Sequence, residues 1–249
     1  EFRRVLFRSL RMKGANYSAT GNTFLVVDSR EERLDDETKH NIVVKNVDKN
    51  DGVIFVEDGF MDFYNRDGLR ASFCGNGART YVYFIHEKEE REKVSFKSMA
   101  GEIEGVVSQG VVSIRMPDPI LTGSFEEEGF SGEIITVGVP HIVMEGDTEK
   151  IDWELLVPLR HLYDANVNVY SVIEKGKLRI RTYERGVEAE TGACGSGATS
   201  VSWIYAKKTG LKSVELKANG GWLTVTFEDG KAYLGGGVEK CSGELELLW

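Results

Sequence analysis

A short motif occurs twice in this chain, at an offset of 120 residues. The first copy is Cys74-Gly75-Asn76-Gly77-Ala78 and the second is Cys194-Gly195-Ser196-Gly197-Ala198. The match continues over roughly forty residues, through Val94 with Val214, Lys97 with Lys217, Gly101 with Gly221, and Gly110 with Gly230. A duplicated segment of this length predicts two similar lobes, each presenting one cysteine.

The same order of elements is predicted after each cysteine. A helix begins at the first motif and covers Ala78 to Glu89, and its counterpart runs to Thr209-Gly210, where Gly210 is a suitable C-cap. Turn residues after the helices predict β-meanders, in the first lobe over Val94–Met99, Glu102–Val107 and Val111–Met116. The paired prolines of Pro117-Asp118-Pro119 cannot continue a central strand, so we place the lobe boundary there.

Apolar and β-branched runs outside the duplication predict further strands. They are Thr23–Asp28, Val53–Tyr64 with a hairpin turn at Asp58-Gly59, Ile134–Val137, His141–Glu145, Asn166–Ile173 and Leu178–Tyr183. An additional helix is predicted over Trp153 to Leu162, started or interrupted near Pro158. Together these elements predict an α+β fold with two pseudo-symmetric lobes, over residues 12–117 and 120–238, and a C-terminal strand near 239–249 that returns to the first lobe.

The first nine residues, Glu1 to Ser9, resemble the in-frame translation of a common sequencing-library adapter. We therefore expect residues 1–11 to be a non-native or disordered extension and the native chain to start at Met12. The net charge of the whole chain is −9. It becomes −12 without the extension, because four positive charges and one negative charge are lost.

Composition excludes several classes of protein. An acidic chain with a pI near 5.1 lacks the basic face that nucleic-acid binding needs. No apolar run approaches the length of about 18 residues that spans a membrane. Three cysteines form no secreted-type disulfide framework, which favours a cytoplasmic protein, and no close Cys-x-x-Cys spacing predicts a metal site. A small-molecule partner is expected.

The duplicated motif suggests chemistry because each cysteine lies where a strand meets a helix. The unpaired N–H groups of a helix's first turn attract anions, and two such ends facing one cleft would bind a carboxylate between them. The same field favours a thiolate and so predicts a pKa below the usual value of about 8.5. Thiols on opposite faces of one carbon could exchange protons with it and invert a stereocentre.

At these residues the chain resembles the diaminopimelate epimerase family. The resemblance covers Met12 to Trp249 and rests on Thr20-Gly21-Asn22-Thr23-Phe24, Asn65 through Arg79, Pro140-His141, Asn166-Val167-Asn168, Glu184-Arg185-Gly186 and Ala193 through Gly197. It implies lobes built as curled, mainly antiparallel sheets around a central helix, and a homodimer. It also implies conversion of LL-2,6-diaminoheptanedioate to the meso form without a cofactor, in lysine and peptidoglycan precursor biosynthesis.

The resemblance assigns roles to individual residues. Cys74 and Cys194 match the two acid/base cysteines, and His141 and Glu184 match residues that poise them. Backbone donors to the reacting carboxylate match Gly75, Asn76, Gly195 and Ser196. Groups that hold the distal end of the substrate match Asn22, Asn65, Asn166 and Arg185. Val139 stands where many members have Asn, so one substrate hydrogen bond is missing or supplied elsewhere.

Other interpretations of the same residues stay open at this point. By position alone, His141 could equally be an ordinary hydrogen-bonded histidine, Glu184 and Arg185 a surface ion pair, and the asparagines turn residues. Two facing thiols could form a disulfide and act as a redox switch. An inactive amino-acid-binding protein is a third alternative. A proline-type or hydroxyproline-type racemase is a fourth, although such enzymes typically carry His where Asn76 stands.

Overall fold

The two copies of the duplicated segment fold into the same succession of elements in the computed structural model, which describes residues 12–248. In the first copy, helix α2 (Gly75–Glu89) is followed by β6 (Lys93–Ser98), β7 (Gly101–Ser108) and β8 (Val111–Arg115). In the second, α4 (Gly195–Thr209) is followed by β15 (Ser213–Ala218), β16 (Gly221–Glu228) and β17 (Lys231–Lys240). The offset of 120 residues therefore holds from each helix start to the start of each strand. The predicted extension over residues 1–11 lies outside the described residues.

The remaining elements lie on either side of these segments. The first lobe adds β1 (Lys13–Ala19), β2 (Asn22–Asp28), α1 (Asp36–Asn46), β3 (Gly52–Glu57), β4 (Phe60–Asn65) and β5 (Arg70–Ala71). The second adds β9 (Ile120–Glu127), β10 (Phe130–Val137), β11 (Val139–Glu145), α3 (Trp153–Tyr163), β12 (Asn166–Glu174), β13 (Lys177–Glu184) and β14 (Ala189–Thr191), and β18 (Leu245–Glu246) lies near the C-terminus. No helix within residues 12–248 combines the length and the apolar composition needed to cross a membrane.

A closed ring of strands surrounds α2. Pairing runs from β1 through β2, β3, β4, β6, β7 and β8 to β17, and β17 pairs again with β1. The helix packs against every strand of this ring, which explains why most of its residues from Asn76 to Ile85 are buried. The first lobe is thus a curled sheet with a helix at its centre.

The second lobe repeats this plan and shares a strand with the first. Its sheet runs from β9 through β10, β11, β12, β13, β15 and β16 to β17, and α4 packs against its inner face. Strand β17 pairs with β16 on one side, and on the other with β8 and then β1. After it, β18 pairs with β1. Hydrogen bonding therefore continues from one lobe into the other.

Two of the helices differ from the sequence prediction. Helix α3 neither starts nor breaks at Pro158, because Asp152 caps it by accepting the N–H of Glu154 at 3.0 Å and Leu156 and Leu159 are buried on either side of the proline. Helix α1 was not predicted, since its buried face includes Lys39, a polar residue. The Lys39 ammonium is paired with Asp62 at 2.7 Å, which allows its burial.

At one contact between the central helix and the sheet, the two lobes have the large and the small side chain on opposite elements. In the first lobe, Val82 of α2 packs over Gly105 of β7, where an added methyl group would overlap the valine side chain. At the equivalent positions the second lobe has Ser202 in α4 and Val225 in β16, both fully buried. The duplicated positions have thus exchanged a large and a small side chain, which indicates that packing was conserved although the residues were not.

We expect Gly105→Ala to lower the free energy of unfolding by about 1–3 kcal/mol, because it overpacks the contact with Val82. Urea denaturation would measure this loss. Gly123→Ala in β9 is the matched control, since a methyl group there meets only Ile134 Cδ1 at 3.9 Å. Combining Val82→Ala with Gly105→Ala should cost less than the sum of the two single changes. Strict additivity, or an equal loss in the control, would contradict the assigned contact.

Candidate active site

The two predicted cysteines occupy the same position in their lobes, as N-caps of the central helices. Cys74 caps α2 and Cys194 caps α4, both with extended backbone. Their side chains are arranged differently. The Sγ atom of Cys74 accepts the N–H of Gly77 at 3.4 Å, whereas Sγ of Cys194 makes no such capping bond and lies 3.5 Å from Oγ of Ser196.

The N-termini of the two helices meet at a pair of glycines. A methyl group added to Gly195 would lie 3.9 Å from Cα of Gly75 and 2.6 Å from Cδ2 of Leu234. Neither helix has an acidic residue in its first turn, so no side chain there neutralises the positive ends. The N–H groups that a first turn leaves unpaired therefore face a common region, as a carboxylate site requires.

Glu184 connects both cysteines electrostatically. It lies at the end of β13, accepts a hydrogen bond from the Thr191 hydroxyl, and is close enough to the Cys194 thiol for the two groups to interact. Burial raises the pKa of this carboxyl group above its usual value. Its negative charge also contributes to raising the pKa of both thiols, including that of Cys74 in the other lobe. The two sulfur atoms thus share one electrostatic environment.

The pKa values of the thiols differ from the sequence-based expectation. Burial raises the pKa of Cys74 to about 11, although the N–H groups of Gly77 and Asn76 and the charge of Arg79 act in the opposite direction. Burial also raises the pKa of Cys194, and Glu184 adds to the increase. Desolvation therefore outweighs the helix-end field in this arrangement, and a thiolate needs further stabilisation.

His141 lies in a buried cluster of amides. The side-chain nitrogen of Asn168 donates to the Ile142 carbonyl oxygen at 3.0 Å, which fixes the amide orientation, and it lies 3.0 Å from Nδ1 of His141. Nε2 lies 3.5 Å from a second amide nitrogen, Nδ2 of Asn166, so both ring nitrogens face amide side chains. Burial lowers the pKa of His141 to about 3. Within residues 12–248, the ring nitrogens of His141 contact the amide side chains of Asn166 and Asn168 and neither cysteine.

Arg185 and Asn166 come together at the entrance of the second lobe. The Arg185 backbone N–H donates to Oδ1 of Asn166 at 2.8 Å, and its guanidinium forms an ion pair with Asp164 at 2.7 Å. The Arg185 side chain remains about one-third exposed. Glu184 and Arg185 are therefore not paired with each other, and the guanidinium is close enough to the surface to meet a ligand.

The first-lobe residues predicted to bind substrate converge less completely. The Asn22 amide oxygen accepts a hydrogen bond from the Asn76 side chain, and its nitrogen donates to Asp51 at 3.3 Å. The register of β2, β3 and β4 places Asn22, Asp51 and Asn65 at the same end of these three strands. Asn65 is exposed and its backbone closes the loop to Leu69. Val139 is more than one-third exposed at the start of β11.

Several residues of this site were missed by sequence reasoning. Asn168 contacts the ring of His141, Thr191 binds Glu184, and Asp51 binds the Asn22 amide. A signal existed for Asn168, because it follows Asn166 by two positions in a strand and so points to the same face. Nothing in the local sequence distinguishes Asp51 or Thr191, since strand pairing brings them to the site.

Comparison with known proteins agrees with this architecture. The family model described as Diaminopimelate epimerase matches residues 14–116. A diaminopimelate epimerase from Thermotoga maritima is 45% identical over 236 residues, which cover 92% of this chain and 99% of the relative. One from Campylobacter jejuni is 30% identical, covering 92% and 97%. The crystal structure of a phenazine biosynthesis protein from Enterococcus faecalis superposes with a TM-score of 0.76 at 16% identity, covering 96% and 100%.

Two curled lobes, each built around a helix that begins at a cysteine, place this chain in the class of isomerases to which its relatives belong. Within that class, identity to the Thermotoga relative extends over nearly the whole of both chains. The chain belongs to the diaminopimelate epimerase family.

We expect His141 to make stability depend on pH. Its folded pKa lies below the usual value of 6.5, so the unfolded chain binds more protons and stability is lost as the pH falls from about 6.5 towards 3. Urea denaturation across this range should show a smaller loss for His141→Gln, which keeps an acceptor without the titrating ring. His161→Gln, at an exposed position, is the control. An unchanged pH dependence in His141→Gln would contradict the buried, neutral ring.

Proposed function

We propose that this protein interconverts LL-2,6-diaminoheptanedioate and its meso isomer by proton transfer between two cysteines, without a cofactor, in the cytoplasmic synthesis of lysine and peptidoglycan precursors. The observation that carries the proposal is the meeting of two cysteine-capped helix ends at Gly75 and Gly195. Membership of the diaminopimelate epimerase family identifies the substrate. The resemblance to that family also suggests a homodimer.

The reaction needs one thiolate and one thiol. The thiolate of one cysteine removes the proton from the α-carbon, the carbon–hydrogen electron pair stays on the substrate, and the thiol of the other cysteine delivers its proton to the opposite face. The first cysteine ends as a thiol and the second as a thiolate, so the roles exchange with direction. Glu184, which interacts with the Cys194 thiol, poises that thiol, and the site resets when the newly formed thiol loses a proton to water and the newly formed thiolate gains one.

The substrate carboxylate is the group that this site is suited to stabilise. Loss of the α-proton places a second negative charge beside it, and no cofactor disperses that charge in this mechanism. Backbone N–H groups of Gly75, Asn76, Gly195 and Ser196 supply fixed donors instead. Each well-placed donor is worth about 3 kcal/mol by analogy with oxyanion holes. Cys194 is buried and Cys74 is partly buried, which limits the access of water and strengthens these interactions.

The distal end of the substrate provides specificity. Arg185 can bind a second carboxylate through two parallel N–H bonds, since its guanidinium is partly exposed beside Asn166. Asn22 and Asn65, at the sheet edge of the first lobe, are placed to bind polar groups from the other side. His141 acts from within its amide cluster as a neutral ring that holds the strand ends in register, because its low pKa prevents it from carrying a charge at neutral pH.

The role of the cysteines is tested with purified, reduced protein and substrate in deuterated water. Cys74→Ala and Cys194→Ala should each reduce epimerisation by at least about a hundredfold, because each removes one of the two proton carriers. Mass spectrometry should detect solvent deuterium at the α-carbon of product formed by the parent. Cys241→Ala is the matched control, since Cys241 is exposed and lies outside the site.

The same experiment separates the alternative functions. Near-normal turnover by either active-site variant would refute the two-thiol mechanism. Absence of exchange in the parent, together with a reversible Cys74–Cys194 disulfide under mild oxidation, would favour the redox switch. Turnover of proline or hydroxyproline in place of the diamino acid would favour the related racemases.

We expect Arg185→Ala to raise KM for the diamino dicarboxylate by about 10–100-fold, corresponding to the loss of a charge-assisted hydrogen bond. The effect on kcat should be smaller, and inhibition by a monocarboxylate analogue such as lysine should change little. Asp164→Asn is the control, because it breaks the ion pair of Arg185 and keeps the guanidinium. Steady-state kinetics would measure both variants. An equal rise in KM in the control would assign the effect to the ion pair instead.

A further inference from the structure

Arg79 is a buried cation that the proposed mechanism does not use. It lies in α2, five residues after Cys74, and its side chain is fully buried. Its recorded hydrogen bonds go to neutral oxygens, namely Oδ1 of Asn76 at 2.5 Å, Oγ1 of Thr20 at 2.9 Å and the Gly237 carbonyl at 3.3 Å. No carboxylate within residues 12–248 forms an ion pair with it. A buried charge in that situation is costly and calls for a compensating function.

The fold provides a specific space for this guanidinium. A methyl group on Gly236 would overlap Nη1 of Arg79 and approach Oγ1 of Thr20 at 2.9 Å. Gly236 lies in β17, the strand that both lobes share. The Nε atom of Arg79 is buried and has no hydrogen-bond partner among the described residues. The space thus accommodates the charge without neutralising it.

Few charged groups act on this part of the site. The charge of Glu184 in β13 raises the pKa of Cys74, and the charge of Arg79 in its own helix lowers it. Within residues 12–248, Cys74 is the ionisable group that acts on Arg79. The charge of Glu184 raises the pKa of Cys194, while Ser196 and the N–H of Gly197 act in the opposite direction. Burial lowers the pKa of Arg79 to about 10, so its side chain stays charged at neutral pH.

The second lobe has no equivalent cation. At the position corresponding to Arg79, offset by 120 residues, α4 carries Thr199, whose hydroxyl donates to the Gly195 carbonyl at 2.9 Å. The surrounding helix is otherwise repeated, since Thr80 and Ser200 make the same bond to the carbonyl four residues earlier. The duplication has therefore kept the scaffold and removed the charge from one side.

We propose that Arg79 is a positioning residue that holds the resting thiolate on Cys74, leaving the proton on Cys194, and that aligns the Asn76 amide towards Asn22. The guanidinium acts through Cys74 and Asn76 and does not touch substrate. The guanidinium donates to Oδ1 of Asn76, and the amide nitrogen of Asn76 then donates to Asn22. Arg79 is thereby connected through hydrogen bonds to a residue proposed to bind substrate. The free protein is then prepared to accept the isomer whose α-hydrogen faces Cys74.

This inference rests on the proposed function for its meaning, because only a proton-transfer reaction needs one thiol ionised and the other protonated. Its test measures ionisation and needs no turnover. In a Cys241→Ser background, Cys194→Ser leaves Cys74 as the sole thiol and Cys74→Ser leaves Cys194. The rate of alkylation by iodoacetamide, followed by intact mass against pH, gives the ionisation midpoint of each remaining thiol.

Cys74 should ionise at least about one pH unit below Cys194, a tenfold difference in thiolate at a fixed lower pH. Arg79→Met should raise the Cys74 midpoint by about one unit and leave the Cys194 midpoint in place. Arg79→Lys, which keeps the charge, should restore most of the difference. If the role of Arg79 were purely structural, the ionisation midpoint of Cys74 would not depend on whether the side chain at position 79 is charged.

An unchanged Cys74 midpoint in folded Arg79→Met, or equal shifts for both thiols, would overturn the proposal. If Arg79→Met fails to fold, Gly236→Ala decides, since it displaces the guanidinium and keeps the residue; no shift of the Cys74 midpoint there would also overturn it. The two proposals fail separately. If the ionisation midpoints of the two thiols are as expected but the protein does not epimerise the substrate, the proposed function is wrong. If epimerisation is normal but the two midpoints are equal, only the role of Arg79 is wrong.

Discussion

The whole site depends on bringing two helix N-termini together at Gly75 and Gly195, where the side chain of Leu234 packs against both glycines. Each end carries the equivalent of about half a positive charge, so the two ends repel each other when nothing lies between them. At this contact a methyl group on Gly195 would overlap Leu234, whereas one on Gly75 would make only ordinary contacts. The contact is maintained by strand pairing that continues from one lobe to the other through β17. An anion bound between the two helix ends would be attracted by both of them. The N-termini at Gly75 and Gly195 therefore form a suitable place for the carboxylate in the proposed mechanism.

Duplication gave the two lobes the same scaffold, and later substitutions made their electrostatics different. The helices have the same length and the same hydroxyl-to-carbonyl bonds in their first turns. Around the thiols, however, the first lobe carries Arg79 and the second carries Glu184. A site with two identical thiols would have no preference for the location of its single proton. Opposite charges beside otherwise equivalent cysteines supply that preference at a cost in desolvation, which the pKa values of both thiols reflect.

The duplicated segment could be predicted closely from sequence because its signals are local. Glycine-containing turns fixed the meander strands to within one or two residues, and Gly210 marked the end of α4 in a left-handed conformation. The strand β1 was not predicted, because Lys13–Ala19 is short and mostly small or polar, and its pairing with β2 and β17 comes from distant parts of the chain. The thiol pKa values could not be predicted for the same reason, since burial depends on the closed packing of both lobes.

The proposed binding residues outside the duplicated segments explain how such a site would distinguish the two ends of its substrate. Two related helix ends can hold the reacting carboxylate and its carbon, but they present similar groups from either side and cannot tell one end of a long diamino acid from the other. The residues proposed to bind the distal end, Asn22, Asn65, Asn166 and Arg185, all lie outside the duplicated segments. They lie at or next to the ends of β2, β4, β12 and β13. In the proposed mechanism the two proton carriers therefore lie in the repeat, whereas the groups that bind the distal end of the substrate lie in strands that the repeat does not include.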